Sequence, residues 1–254
     1  MSKYFNFIFK KKPVVIDCFT YLPYVHDFAK INQAIKYVPD WWKETPNLAG
    51  TGRPTIKSCP AFLDFYKKGI VIPSWFDLEI TVDEKNSKNS YSWEASTQDF
   101  NVDSSHNSSE FEKFAGNNAS NFKITSPWAF KTKENISFVW SQPTWNLREL
   151  LSNFTLLPAT VNYKYQHGTN INYLVVNSEV KKTFRIPALT PLVIMHGLTD
   201  RPIEIKNHLV SETEWKRLTF GIENLILNRN PTELTEMYKK KIQLTNKIDS
   251  INGL

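Results

Sequence analysis

Leu192-Val193-Ile194-Met195-His196, Gly197-Leu198-Thr199-Asp200-Arg201-Pro202 and Ile203-Glu204-Ile205-Lys206-Asn207-His208 form the stretch that decides the fold class. The first run is apolar and partly β-branched, the middle run holds turn formers, and the last alternates apolar with polar side chains. The pattern predicts two strands across a turn. Ile203 and Ile205 then share a core face that Leu209 continues, and Glu204 and His208 point to solvent.

Moving outward, the same chemistry recurs. Val14 to Phe19 are mostly β-branched or aromatic and predict a first strand. Leu22 to Lys43 is less regular and ends in the adjacent Trp41 and Trp42. Pro46, Gly50, Gly52, Pro54 and Pro60 mark a non-repetitive connection. Pro60 then opens a short helix carrying Phe62, Phe65 and Tyr66, with Lys67 and Lys68 at its carbonyl end and Gly69 as its stop. Ile70-Val71-Ile72-Pro73 returns to strand. Extended structure is expected from Trp75 to Val82, a hairpin loop over 83–90, and a return strand with Tyr91 and Trp93. Residues 97–121 read as a long polar surface excursion. Phe122-Lys123-Ile124-Thr125 and Ile136 to Trp140 predict further strands. Val161, Tyr163 and Tyr165 predict one face of another, with Ile171 to Val176 as its neighbour.

Repeated short strands with turn signals make the chain mostly β: a sandwich, jelly roll or distorted barrel, with short peripheral helices and a helical C-terminal region. The expected division is a β-rich domain over 1–211 and a helical extension over 212–254 packed on it. The 254 residues suit one large domain, and 8 Trp, 10 Tyr and 17 Phe are enough to fill a sheet-based core. Such an aromatic content argues against a disordered chain.

The net charge is +6, with Lys3, Lys10, Lys11 and Lys12 near the start. These lysines suit phosphate or acidic lipid, but no reading module accompanies them, so sequence-specific nucleic-acid binding is disfavoured. Cys18 and Cys59 are too few for a secreted disulfide framework. No run approaches the ~20 apolar residues of a membrane span, and no secretory signal is read. Asn107, Asn118, Asn135 and Asn153 open Asn-x-Ser/Thr triplets of the kind an Asn- and Ser-rich chain produces by chance.

Five histidines, His26, His106, His167, His196 and His208, are the candidate metal ligands. His196 and His208 would face each other across the proposed turn, with Glu204 nearby. A cupin-like site needs two histidines and a carboxylate around an open position, and no His-x-Asp or His-x-Glu pattern is present. Catalytic, cofactor and metal residues are therefore left unassigned. No cofactor is predicted, with a divalent metal as the alternative. Asp77 and Glu79 share a strand face as a candidate carboxylate pair, a spacing that an ordinary wet face also produces. Cys18 and Cys59 read as small buried residues rather than nucleophiles. Trp41, Trp42, Trp75, Trp93, Trp128, Trp140 and Trp145 are spread across the β region. Burial in the core is the default, and an exposed cluster would mark a sugar groove or a protein contact.

The segment Thr55 to Pro73, with Lys57, Cys59-Pro60, Asp64, Gly69 and Ile72-Pro73, resembles a segment of a tailed-phage and bacterial protein family with no assigned activity. Asp77, Ile186-Pro187 and the sector from Leu192 to Ile205 are compatible with that resemblance, which extends over most of residues 50–210. It implies a phage-related protein in the virion or the host cytoplasm during infection. The leading expectation is a structural or protein-interaction protein, with self-association or a virion component as partner. A β-scaffold enzyme and a carbohydrate-binding module are the alternatives.

Overall fold

A computed structural model describes residues 11–82, 91–97, 119–147, 153–176, 178 and 180–219. The strands in chain order are β1 (Val14–Thr20), β2 (Asn32–Gln33), β3 (Gly69–Pro73), β4 (Leu78–Val82), β5 (Tyr91–Ala95), β6 (Ala119–Thr125) and β7 (Ala129–Lys131). They continue with β8 (Phe138–Ser141), β9 (Phe154–Leu156), β10 (Thr160–Val161), β11 (Asn170–Val176), β12 (Lys182–Ile186), β13 (Pro191–Gly197) and β14 (Ile203–Leu209). The helices are α1 (Pro23–Phe28), α2 (Asp40–Glu44), α3 (Pro60–Lys68) and α4 (Glu212–Thr219), with 3₁₀ turns at Ala34–Tyr37 and Ile56–Ser58.

The strands form four open sheets, ordered β14-β1-β7, β10-β8-β13-β3-β2, β6-β11-β9 and β12-β4-β5. Two of them merge. β3 leads into β4 and β12 into β13, and at that junction the Ser74 N–H donates to the Thr190 carbonyl and the Leu189 N–H to the Ser74 carbonyl, both at 2.8 Å. The result is one bent layer. β6 leads into β7 on the opposite side, joining the other two sheets in sequence. Rings meet across the interior: Tyr91 on Phe122 at 5.2 Å and Phe154 on Phe184 at 5.5 Å. The Tyr173 hydroxyl also crosses it and donates to the Leu192 carbonyl at 2.6 Å. The architecture is sandwich-like, and no sheet among the described residues closes into a barrel.

The strands β3 and β13 are buried on both faces, which explains their unbroken apolar runs. Ile70, Ile72, Val193 and Met195 enter the main core, while Val71 and Ile194 enter a second cluster with Ala34, Val38, Phe62 and Tyr66. The helix α3 covers this second face. Pro60 occupies its first turn, as expected. Gly69 ends the helix as expected. Its backbone is extended rather than left-handed, so the glycine is there for room. A Cβ would sit 2.7 Å from Ile194 Cγ2 and 2.9 Å from the Phe65 carbonyl.

The decisive stretch forms two strands but no hairpin. β13 pairs with β3 and β8, whereas β14 pairs in parallel with β1. The connection ends in Arg201, whose guanidinium donates to the carbonyls of Lys12 and Pro13 and to Glu134, steering the chain to the other layer. Ile203 and Ile205 do pack on the main core, but Leu209 is exposed.

Residues 161–165 are a second correction. β10 stops at Val161 because Asn162 builds a turn, its side-chain oxygen accepting from the Lys164 N–H at 3.1 Å. Tyr163 is fully buried and Tyr165 is not. β11 pairs with β6 and β9 instead of with this segment. Trp75 to Asp77 is a bend before β4, and the expected hairpin between β4 and β5 is present. The loop expected over 83–90 lies outside the described residues. So does most of the 97–121 excursion, although 119–121 belongs to β6, and so does the 212–254 extension beyond α4.

Candidate functional site

The histidines do not converge. His26 contacts Asp27 at 3.0 Å, and His167 Nδ1 lies 2.9 Å from the Phe130 carbonyl. His106 lies outside the described residues. His196 and His208 belong to different sheets because the expected hairpin does not form. His196 Nε2 donates to the Phe65 carbonyl at 2.8 Å, and burial holds its pKa below the usual imidazole value. His208 Nε2 contacts Asp17 Oδ1 at 2.8 Å and stacks on Phe19 at 4.9 Å. Glu204 faces Lys206 at 3.6 Å. Among the described residues, no three His, Cys, Asp or Glu side chains gather closely enough to hold a metal ion.

The cysteines are both free. Cys18 is fully buried, which pushes its thiol well above the ordinary range, while half-buried Cys59 packs against the second cluster. Lys11 pairs with Asp200, and Lys12 lies close enough to Glu134 to help hold that carboxyl below its ordinary value, after the larger effect of Arg201. Lys3 and Lys10 lie outside the described residues.

The tryptophans divide into two sets. Trp75, Trp128 and Trp140 are buried. Trp128 Nε1 donates to the Ala29 carbonyl and Trp140 Nε1 to the Tyr163 hydroxyl, the partners a buried indole requires. Trp93 lies partly exposed on β5.

Trp41, Trp42 and Trp145 instead converge around Phe62. Trp42 stacks on the Phe62 ring at 5.2 Å with an 8° interplanar angle. Trp41 and Trp145 approach Phe62 edgewise at 6.0 and 5.4 Å and lie 5.8 Å from each other. Trp41 Nε1 donates to the Trp145 carbonyl at 3.2 Å, joining α2 to the turn after β8. Phe62 is almost fully buried, yet Trp41 and Trp145 remain 41% and 43% exposed. Two large indoles are thus held at the surface on a buried ring.

Their supports are specific. α2 begins after Pro39 and carries both Trp41 and Trp42 toward Phe62. The Tyr66 hydroxyl donates to Asn146 Oδ1 at 2.8 Å, and Asn146 Nδ2 donates to the Tyr37 carbonyl at 2.8 Å. The Trp145 turn is therefore tied to α3 and to the segment before α2. Lys57 donates to the Lys43 carbonyl and lies over Trp42, 5.6 Å from its ring centre. Spacing did not foretell this meeting, because Trp145 comes more than 100 positions after Trp41. Trp215, which donates to the Pro127 carbonyl and contacts Tyr21, was also not singled out from the sequence.

Asp77 and Glu79 do share a groove, of about 510 Å³, with Glu94, Ser96, Arg185 and Pro187. They do not act as a simple pair. Asp77 Oδ1 accepts from the Ala188 N–H at 2.8 Å, and Glu79 Oε2 from Arg185 Nε at 2.7 Å. Glu94 and Arg185 flank Glu79 across the sheet, a relation fixed by strand register alone.

No protein-family model matches the chain, and no curated protein matches it.

Proposed function

We propose that this chain is a protein-interaction protein whose partner packs on Trp41 and Trp145. The observation that carries this reading is the pair of surface indoles supported by buried Phe62. Trp is enriched at interface hot spots because it removes much surface from water while fixing few torsions. Here the backbone beneath both rings is braced by the bonds of Tyr66, Asn146 and Trp41. A partner would meet rings already ordered, which lowers the entropy cost of association. The phage-related setting, as a structural or virion-associated protein, rests on the resemblance of residues 55–73.

A photocrosslinker at Thr144, beside Trp145, tests the contact in cells carrying the native partner, with one at Lys68 as control. A discrete adduct from position 144 that disappears in the Trp41→Ala/Trp145→Ala protein is expected. No adduct, or the same adduct from position 68, would overturn the reading. Glycan-array binding abolished by the same double substitution would replace it with sugar recognition. Mass spectrometry of purified particles tests the virion setting, and consistent absence from intact particles counts against it.

A further inference from the structure

We infer that the end of the molecule built by residues 11–13, 131–135, 162–165 and 198–201 docks on an anionic membrane surface. This contact uses none of the residues of the Trp41–Trp145 surface. Arg201 ties the end together, donating to the carbonyls of Lys12 and Pro13 and to Glu134, and Asn162 Nδ2 donates to Asn135 Oδ1 at 2.9 Å. Lys11 pairs with Asp200. Lys12 and Lys164 lie close enough to Glu134 to act on its carboxyl, yet neither has an ion pair of its own among the described residues. Lys11, Lys12, Lys164 and Arg201 thus outnumber Glu134 and Asp200, and a negatively charged surface is their complement.

Apolar side chains at the same end select lipid over other anions. Leu198, in the turn that carries Asp200 and Arg201, is 63% exposed. Upstream, the chain reads Lys3-Tyr4-Phe5-Asn6-Phe7-Ile8-Phe9-Lys10 before it enters the described residues at Lys11. That run is far short of the ~20 apolar residues of a membrane span. Aromatic and aliphatic side chains set between lysines are instead the composition of an interfacial anchor. Phenylalanines could stack on nucleic-acid bases, whereas Leu198 and Ile8 gain nothing from a phosphate backbone and are removed from water by acyl chains. Affinity for a membrane surface grows both with the apolar area buried and with the attraction of lysines to anionic lipid, and this end supplies the two together.

Flotation of the full chain with phosphatidylcholine vesicles, with and without about one-third phosphatidylserine, tests the inference. Binding to the anionic vesicles alone is expected, weakening as salt rises. Lys12→Glu/Lys164→Glu should weaken it by at least about tenfold, since two attractions become repulsions. Lys12→Gln/Lys164→Gln, which removes the charges without reversing them, should weaken it by less and guards against a folding defect. Leu198→Ser and Phe7→Ser should each weaken it by at least about threefold, because each removes apolar surface from the contact. Equal binding to neutral and anionic vesicles, no binding, or insensitivity to the lysine or the apolar substitutions would each overturn it. Tighter binding to a labelled thymidine oligonucleotide that Leu198→Ser leaves unchanged would assign this end to nucleic acid and also overturn it.

Discussion

His196 on β13 donates through Nε2 to the carbonyl of Phe65 in the last turn of α3, and its ring lies tilted against the Phe65 ring, 4.7 Å away. Burial lowers its pKa from the usual 6.5, outweighing the opposing effect of the carbonyl bond. Well above pH 6.5 the folded and unfolded chains both carry a neutral ring. As pH falls below that value the unfolded chain takes up its proton first, and stability is withdrawn until the folded-state pKa is passed. The measurement is the urea midpoint of the native chain and of His196→Gln between pH 7 and 5. The variant, whose amide can still donate to Phe65, should lose less stability on acidification. Parallel curves would refute this assignment.

Gly69→Ala should destabilise the protein by about 1–3 kcal/mol, the usual cost of overpacking. The added methyl would meet Ile194 Cγ2, the Phe65 carbonyl and the Ala34 methyl, all within 3.0 Å. Backbone and core cannot retreat together. Gly197→Ala is the control, because the closest obstacle there is the flexible end of Ile203. Chemical denaturation should show the smaller loss for position 197.

Trp42→Phe should be mild, about 1 kcal/mol, because Trp42 is only half-buried and a phenyl ring can keep the stack on Phe62. The Trp42 Nε1–H is buried without an acceptor among the described residues, so its removal costs no hydrogen bond and relieves an unpaired donor. Phe62→Ala should cost about 3–5 kcal/mol, as expected for a buried phenylalanine, and should loosen Trp41 and Trp145. Denaturation gives the energies, and tryptophan fluorescence should move to longer wavelength in the Phe62 variant alone.

Leu189 has a left-handed backbone, with φ of 67°, in the turn between β12 and β13. This region costs a side-chain-bearing residue roughly 1–2 kcal/mol. Leu189 is also exposed, so little burial is lost on truncation. Leu189→Gly should raise stability by about 0.5–1 kcal/mol after the larger unfolded-state entropy of glycine is counted. A lower melting temperature for the variant would show that the leucine has a compensating contact.

The strands were legible where local chemistry determines them. Ile70 to Pro73 and Leu192 to Met195 are apolar on both faces because α3 covers one side of the sheet and the opposing layer the other. Pairing was legible for the local β4–β5 partners and not for the long-range ones. Gly197 to Pro202 carries every sign of a tight turn, yet Arg201 anchors it to residues 12 and 13 and sends β14 to a different sheet. The candidate site was visible only as an excess of tryptophan. Trp41 and Trp145 come together through Phe62, Tyr66 and Asn146, and such a meeting depends on tertiary packing that no spacing rule records. Asp77 and Glu79 showed the opposite case, since their shared face followed directly from strand alternation.

The parallel pairing of Val14 with Ile203 sets a schedule for synthesis. At ~5–20 residues per second a ribosome needs roughly 10–40 s between making these two positions. Throughout that interval the first strand waits for its long-range neighbour with an open flank. Final closure of the sandwich therefore comes late, and the nascent chain is most vulnerable to sticking to its siblings just before β14 emerges.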